Sequence, residues 1–125
     1  MAKEKYTTEY IINSSAKVLY ARLSTAGGLT EWFADNVTLN GKMFTFTWNG
    51  VDQLAELISK KDQNHVRFKW VEDEKDTYFE FKIVIEELTG GVALIITDFA
   101  EKDEIDDAKG LWDSQINELK HMLGG

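Results

Sequence analysis

Histidine and cysteine serve most often in catalysis and metal binding, and this chain holds two histidines and no cysteine. Disulfides, thiolate zinc sites and cysteine nucleophiles are therefore excluded. His65 lies on the face of a predicted strand opposite that of Val66 and Phe68, so it is expected to be exposed, and His121 lies near the chain end. A catalytic triad needs a nucleophile, a base and an orienting acid. We therefore predict no catalytic residue and no tight transition-metal site.

The acidic run from Glu101 to Asp107 is a second candidate, because carboxylates can hold a cation. Asp103 and Asp107 share one face of a predicted helix. The run lacks the alternating ligand spacing, central glycine and closing glutamate of a calcium loop. Acidic side chains also suit the positive end of a helix dipole. We interpret the run as a solvated helix start and predict no metal ion.

Two glycine pairs could suggest a phosphate-binding loop. Neither Gly27-Gly28 nor Gly90-Gly91 has the longer glycine pattern of such a loop. Both pairs are interpreted as chain breaks, and no cofactor is predicted.

Aromatic residues make up 12% of the chain. A close-packed core could absorb all of them. Some could instead line a ligand cavity, with indole N–H groups and threonine hydroxyls as sparse polar anchors. The residues alone leave both interpretations open. The set comprises Trp32, Phe33, Phe44, Phe46, Trp48, Phe68, Trp70, Phe79, Phe81 and Trp112.

The bulk composition limits the classes of partner. A net charge of −8 argues against nucleic acid or an anionic membrane, because both are bound by basic surfaces. The first residues contain no apolar run, so neither a signal peptide nor a membrane span is expected. A length of 125 residues favours one domain, and a cytoplasmic location is the expectation.

The longest predicted helix, Asp103 to Leu123, organises the rest of the chain. Its apolar residues recur at steps of three and four, which places them in one stripe. Lys120 and His121 suit the negative end of its dipole, and Gly124 can take the left-handed stop. At about 1.5 Å per residue the helix is roughly 30 Å long, and it needs an apolar surface of similar length. The stripe comprises Ile105, Ala108, Leu111, Trp112, Ile116, Leu119, Met122 and Leu123.

A first strand and two short helices are predicted near the start of the chain. Alternation over residues 5–13 is typical of a strand. Ser14 or Ser15 offers an N-cap for a first helix, which Gly27-Gly28 is expected to end, and a shorter helix covers residues 29–33. The inner face of the first helix is predicted to comprise Ala16, Leu19, Tyr20 and Leu23.

From about residue 36 to residue 99 the sequence alternates with a period of two. Aromatic residues fall on one face and charges on the other, as expected for an antiparallel sheet that is solvated on one side. Asn49-Gly50 is a strong hairpin signal. The predicted class is α+β, with a strand, two helices, roughly six strands and a long C-terminal helix.

This order of elements resembles the helix-grip superfamily of START-like and Bet v 1-like domains, specifically the branch related to the activator of Hsp90 ATPase. The most specific resemblance lies in residues 16–23 followed by 28–34, which contain a Glu-Trp-Phe stretch, and in Gly110-Leu111-Trp112 at the start of the last helix. It covers nearly the whole chain and is nearest to small bacterial START-like proteins. It implies a curved antiparallel sheet wrapped around the terminal helix, with an apolar cavity between them.

Two classes of function follow from this resemblance. The first is non-enzymatic binding of a small hydrophobic, lipid-like or aromatic ligand in the cavity. The second is a protein-interaction module, chaperone-associated or self-associating, whose cavity is filled. A polyketide-cyclase-like enzyme ranks a distant third. An open pocket of roughly 300 Å³ or more favours the first class, and a large exposed apolar patch favours the second. The predicted cavity residues are Trp32, Phe33, Phe46, Trp48, Phe68, Trp70, Phe79, Phe81, Trp112 and Ile116.

Overall fold

A computed structural model describes residues 3–124 and contains one seven-stranded antiparallel sheet with three α-helices. The sheet is curved and open, with the strand order β1-β7-β6-β5-β4-β3-β2. This confirms the predicted α+β helix-grip fold and its order of elements. The elements are β1 (Glu4–Ile12), α1 (Ala16–Ser24), α2 (Ala26–Trp32), β2 (Asn36–Asn40), β3 (Met43–Trp48), β4 (Val51–Lys61), β5 (His65–Trp70), β6 (Phe79–Ile85), β7 (Val92–Ala100), a 3₁₀ turn (Lys102–Glu104) and α3 (Ile105–Met122).

The break between α1 and α2 differs from the prediction. The side chain of Ser15 caps α1, as expected, by accepting a hydrogen bond from the Val18 amide at 3.2 Å. The helix ends at Ser24, and Gly27-Gly28 lies inside α2, so the prediction that this pair stops α1 is wrong. Thr25 makes the break, because its backbone is extended and its hydroxyl accepts the Gly28 amide at 2.9 Å.

Gly28 is required for a different reason. A Cβ atom at this position would collide with the backbone of α1 at the Ala21 carbonyl oxygen, whereas a Cβ at Gly27 would meet nothing. The absent side chain lets the two short helices approach closely. The predicted inner face of α1 is confirmed, since all of its members are buried: Ala16, Leu19, Tyr20 and Leu23.

The terminal helix α3 buries a narrower stripe than its sequence predicted. Trp112, Ile116 and Leu119 are at most 7% exposed, and they follow the i, i+4, i+7 spacing of one helix face. Leu111 and Met122 are 66% and 45% exposed, so their assignment to the buried stripe is wrong. Both are rotated from the centre line of this face towards solvent. The helix begins at Ile105, after the 3₁₀ turn.

Tight turns lie where the glycine signals predicted them. Asn49 and Gly50 both have positive φ angles, 51° and 79°, which suit the turn of the β3–β4 hairpin. Gly124 has a φ angle of 77°, and its amide donates to the His121 carbonyl at 3.1 Å, which confirms the predicted helix stop.

Candidate functional site

The candidate site is a pocket of about 380 Å³ between α3 and one edge of the sheet. Strands β3, β5 and β7 run in the same direction, because each is separated from the next by an antiparallel neighbour. The C-terminal ends of these three strands therefore lie together at one end of the sheet, beside the start of β1, and the pocket is at this end. Aromatic, aliphatic and a few polar side chains line the pocket: Tyr6, Phe33, Trp48, Gln53, Trp70, Asp98, Ala108, Leu111, Trp112 and Gln115.

Four aromatic rings form the wall of the pocket. Phe33, immediately after α2, stacks on Trp112 of α3 with centroids 5.7 Å apart and an interplanar angle of 12°. The Phe33 ring also meets the Trp48 ring edge-on, with centroids 5.3 Å apart, and the centroids of Trp48 and Trp70 are 6.1 Å apart. Edge-to-face and offset-stacked arrangements are the favoured geometries for such pairs. The wall therefore connects β3, β5, α3 and the end of α2.

Two of the three tryptophans that line the pocket, Trp48 and Trp112, already use their indole N–H groups within the protein, and the expectation that an indole N–H anchors a ligand stays a prediction. Trp48 donates its N–H to the Phe33 carbonyl at 2.8 Å, and Trp112 donates to the Asp98 carboxylate at 3.0 Å. Trp32 donates to the Arg22 carbonyl at 2.8 Å. Half-buried Trp48 thus has its polar edge occupied and can offer an aromatic face to a ligand, whereas Trp112 is 7% exposed and stacks on Phe33.

Asp98 on β7 supplies the charged group of the pocket. Its Oδ2 accepts from Trp112 Nε1 at 3.0 Å and from the Tyr6 hydroxyl at 3.4 Å, and its Oδ1 accepts the Phe99 amide at 2.8 Å. Burial raises the pKa of the Asp98 carboxyl above its usual value, while these hydrogen bonds act in the opposite direction. Burial, and then the nearby Asp98 charge, also raises the pKa of Tyr6.

Two further contacts fix the elements around the pocket. The Tyr10 hydroxyl donates to Asp113 Oδ1 at 2.6 Å and so ties β1 to α3. Burial, followed by this hydrogen bond, raises the pKa of Tyr10 to about 12. Lys3 Nζ pairs with Asp73 Oδ1 at 2.8 Å across a neighbouring hollow that Asp98 also lines.

The predicted cavity residues separate into two layers. Phe33, Trp48, Trp70 and Trp112 line the pocket. Trp32 is 6% exposed and lines an adjoining hollow of about 410 Å³ with Phe33. The remaining members have at most 1% of their surface exposed and pack beneath the pocket wall: Phe46, Phe68, Phe79, Phe81 and Ile116.

Sequence reasoning missed Asp98 and the other polar lining residues. Asp98 continues the inward-facing alternation of Val92, Leu94 and Ile96, all of which are buried. A carboxylate at the end of an inward row was the signal that could have identified it. Tyr6 lies directly opposite Asp98 in the sheet register, so the same reasoning reaches it.

The other candidates from the sequence lie away from the pocket. His65 is half-buried, not exposed as expected, because Ser59 and Asn64 hold its ring nitrogens at 2.9 and 3.0 Å. Within residues 3–124, no group of three or more His, Asp and Glu side chains is placed to hold a metal ion. No helix in the same part of the chain is both long enough and apolar enough to cross a membrane.

A sheet that grips a long helix, with an aromatic pocket where the two meet, defines a helix-grip domain. The chain belongs to the START-like superfamily, whose domain model matches residues 1–125. No curated protein matches it significantly.

Several solved structures share the fold of this chain. A protein from Bacteroides fragilis is 42% identical, with 98% of this chain and 93% of that chain covered and a TM-score of 0.70. The Aha1 dimer from Colwellia psychrerythraea is 17% identical over 94% of this chain and 93% of that one, with a TM-score of 0.77. A Mesorhizobium loti protein is 15% identical over 97% of both chains, with a TM-score of 0.79. The last two show a shared fold alone.

Proposed function

We propose that this protein is a non-enzymatic binder of a small hydrophobic or aromatic molecule, lipid-like in character, which occupies the pocket beside α3. The observation that supports this most is the pocket itself. Its volume of about 380 Å³ lies within the range of roughly 300–1,000 Å³ typical of small-molecule sites. Aromatic faces dominate its wall, and only a few polar groups converge on it, as in sites of that kind.

The layered arrangement of aromatic residues also supports binding. Phe46 and Phe79 are at most 1% exposed, and they stack on Trp48 and Trp70 with ring centroids 5.9 and 4.9 Å apart. These two indoles pack on the core from outside and are only partly buried, so each can form part of a surface for another molecule. The proposed contact residues are Phe33, Trp48, Trp70 and Trp112. The buried aromatic residues then position the wall and do not touch the ligand.

A pocket-filling variant tests this proposal. Ala108 lines the pocket from α3 and is partly buried, so Ala108→Phe should occupy part of the ligand volume. Asn117→Phe is the matched control, because Asn117 is exposed on the same helix and lies outside the pocket. The neutral fluorescent probe N-phenyl-1-naphthylamine should bind the wild type and the control, and bind Ala108→Phe at least about tenfold more weakly. Equal binding to all three proteins, or binding to none, would contradict the proposal.

A protein-interaction role is the second candidate, favoured by the outer face of the sheet. Ile11 and Val84 are 71% and 37% exposed, and both lie beside Ala93 in the sheet register. This places an apolar row on the solvent side. One protein of the same fold was solved as a dimer. Light scattering on the wild type and on Ile11→Lys tests self-association: a dimer that the substitution dissociates supports it, and a wild-type monomer at high concentration contradicts it. The cytoplasmic location stays a prediction.

A further inference from the structure

We propose that the ligand carries a cationic ammonium group, which the pocket holds between the Asp98 carboxylate and the faces of Trp48 and Trp70. This inference rests on the proposed binding function and specifies the chemical class of its ligand. A purely apolar ligand would use the aromatic faces and leave the carboxylate without a partner. An ammonium group attached to an apolar or aromatic body would use both.

The charge of Asp98 is the first support. Its carboxylate has about four lone-pair positions, and the Trp112, Tyr6 and Phe99 donors occupy three of them. Within residues 3–124, no Lys, Arg or His side chain forms an ion pair with it. The charge of Lys3 acts on Asp98 across the neighbouring hollow, but the Lys3 ammonium is paired with Asp73 at 2.8 Å. A partly buried carboxylate that accepts only uncharged donors attracts a cation into the space beside it.

The aromatic faces are the second support. Trp48 and Trp70 line the pocket and are half-buried, and one face of each ring stacks on a core ring, Phe46 or Phe79, so a ligand would meet the other face. Tryptophan is the best side chain for attracting a cation to its face. The hydrogen bond from Trp112 to Asp98 brings the carboxylate beside the aromatic wall. One cation in the pocket can therefore contact both kinds of group.

The surrounding charge is the third support. The residues that line the pocket include no Lys, Arg or His, and Asp98 is the charged residue among them. The chain as a whole carries a net charge of −8. Both features raise the local concentration of cations and oppose a ligand of net negative charge in this pocket. A fatty acid is thus a poorer match than an amine of similar size.

Two isosteric probes test the charge directly. Phenyltrimethylammonium and tert-butylbenzene have the same shape and differ in a central N⁺ or carbon atom. Calorimetric titration should give an affinity for the ammonium compound about tenfold or more above that for its neutral isostere. Asp98→Asn should abolish this preference. Asp106→Asn is the control, because it removes one exposed carboxylate outside the pocket and should keep the preference.

A second variant covers the case in which Asp98→Asn does not fold. Trp70→Leu keeps an apolar side chain at a half-buried position but removes a π-face. It should weaken phenyltrimethylammonium binding severalfold more than tert-butylbenzene binding. Equal losses for both compounds would overturn the contribution of the aromatic face and with it the proposal.

The outcomes separate this inference from the function on which it rests. If the neutral isostere binds the wild type as tightly as the ammonium compound, the ammonium site is refuted and the apolar pocket stands. If neither compound nor N-phenyl-1-naphthylamine binds, the pocket function fails, and the ammonium site with it. Phosphatidylcholine vesicles distinguish the two sources of ammonium. Transfer of lipid to the protein supports a choline headgroup, whereas binding of the soluble compound without transfer supports a free amine.

Discussion

The hydrogen bond between Trp112 and Asp98 links the pocket to the stability of the fold, and Trp112→Phe isolates it. The substitution keeps an aromatic ring against Phe33 and removes the N–H that donates to Asp98 at 3.0 Å. A hydrogen bond to a charged group contributes about 1.5–3 kcal/mol. A phenyl ring is smaller than an indole, and Trp112 is only 7% exposed, so the substitution also loses about 1 kcal/mol of stabilisation from buried apolar surface. We expect Trp112→Phe to lower the free energy of unfolding by about 2–4 kcal/mol.

A double-mutant cycle separates the hydrogen bond from the packing. In an Asp98→Asn background the acceptor is uncharged, so Trp112→Phe should cost about 1–2 kcal/mol less than it does in the wild type. Urea unfolding of the four proteins, followed by far-UV circular dichroism, gives the coupling energy. Trp32→Phe is a control, because it removes an indole N–H that donates to a neutral carbonyl. A coupling energy below about 0.3 kcal/mol would show that the two side chains act independently and refute the reasoning.

Three further outcomes follow from the packing and the titration of single residues. Ile116→Ala should lower the free energy of unfolding by about 2–5 kcal/mol, and a loss under about half a kcal/mol in chemical denaturation would place that helix face outside the core. Gly28→Ala should destabilise by about 1–3 kcal/mol while Gly27→Ala should not, and equal melting temperatures would contradict the close helix contact. Because the folded pKa of Tyr10 is raised to about 12, the protein binds this proton more tightly than the unfolded chain does. The contribution of Tyr10 to stability should be complete below pH 10 and lost as the pH rises towards 12. Melting temperatures measured over this pH range should show the loss in the wild type and not in Tyr10→Phe. The same pH dependence in both proteins would contradict this account.

The elements that the sequence predicted correctly are those with a local physical cause. Ser15 caps α1 through its own hydroxyl, and Asn49-Gly50 adopts the positive φ angles that the hairpin needs. Gly124 ends α3 for the same conformational reason. The one misplaced break, at Gly27-Gly28, arose because a glycine pair also permits close helix packing, and only the three-dimensional contact distinguishes the two uses.

The composition of the pocket was only partly predictable. Phe46 and Trp48 lie on the same face of β3, and Phe68 and Trp70 on the same face of β5, so alternation alone cannot separate buried residues from pocket residues. What separates them is distance from the strand end, since the C-terminal ends of these strands meet at the pocket edge. Asp98 belongs to the pocket for the same reason, but its side-chain partners Tyr6 and Trp112 come from two other elements, β1 and α3.

The side-chain indole signals of the four tryptophans provide the most direct test of the pocket. A ¹⁵N correlation spectrum should be recorded while N-phenyl-1-naphthylamine is added to the wild type, with the signals assigned by single Trp→Phe substitutions. Ligand in the pocket should shift the Trp48, Trp70 and Trp112 signals, and it should move Trp32 less, because that ring lies outside the main pocket. A spectrum in which Trp32 moves most, or in which all four signals stay in place at saturating probe, would contradict the proposed site.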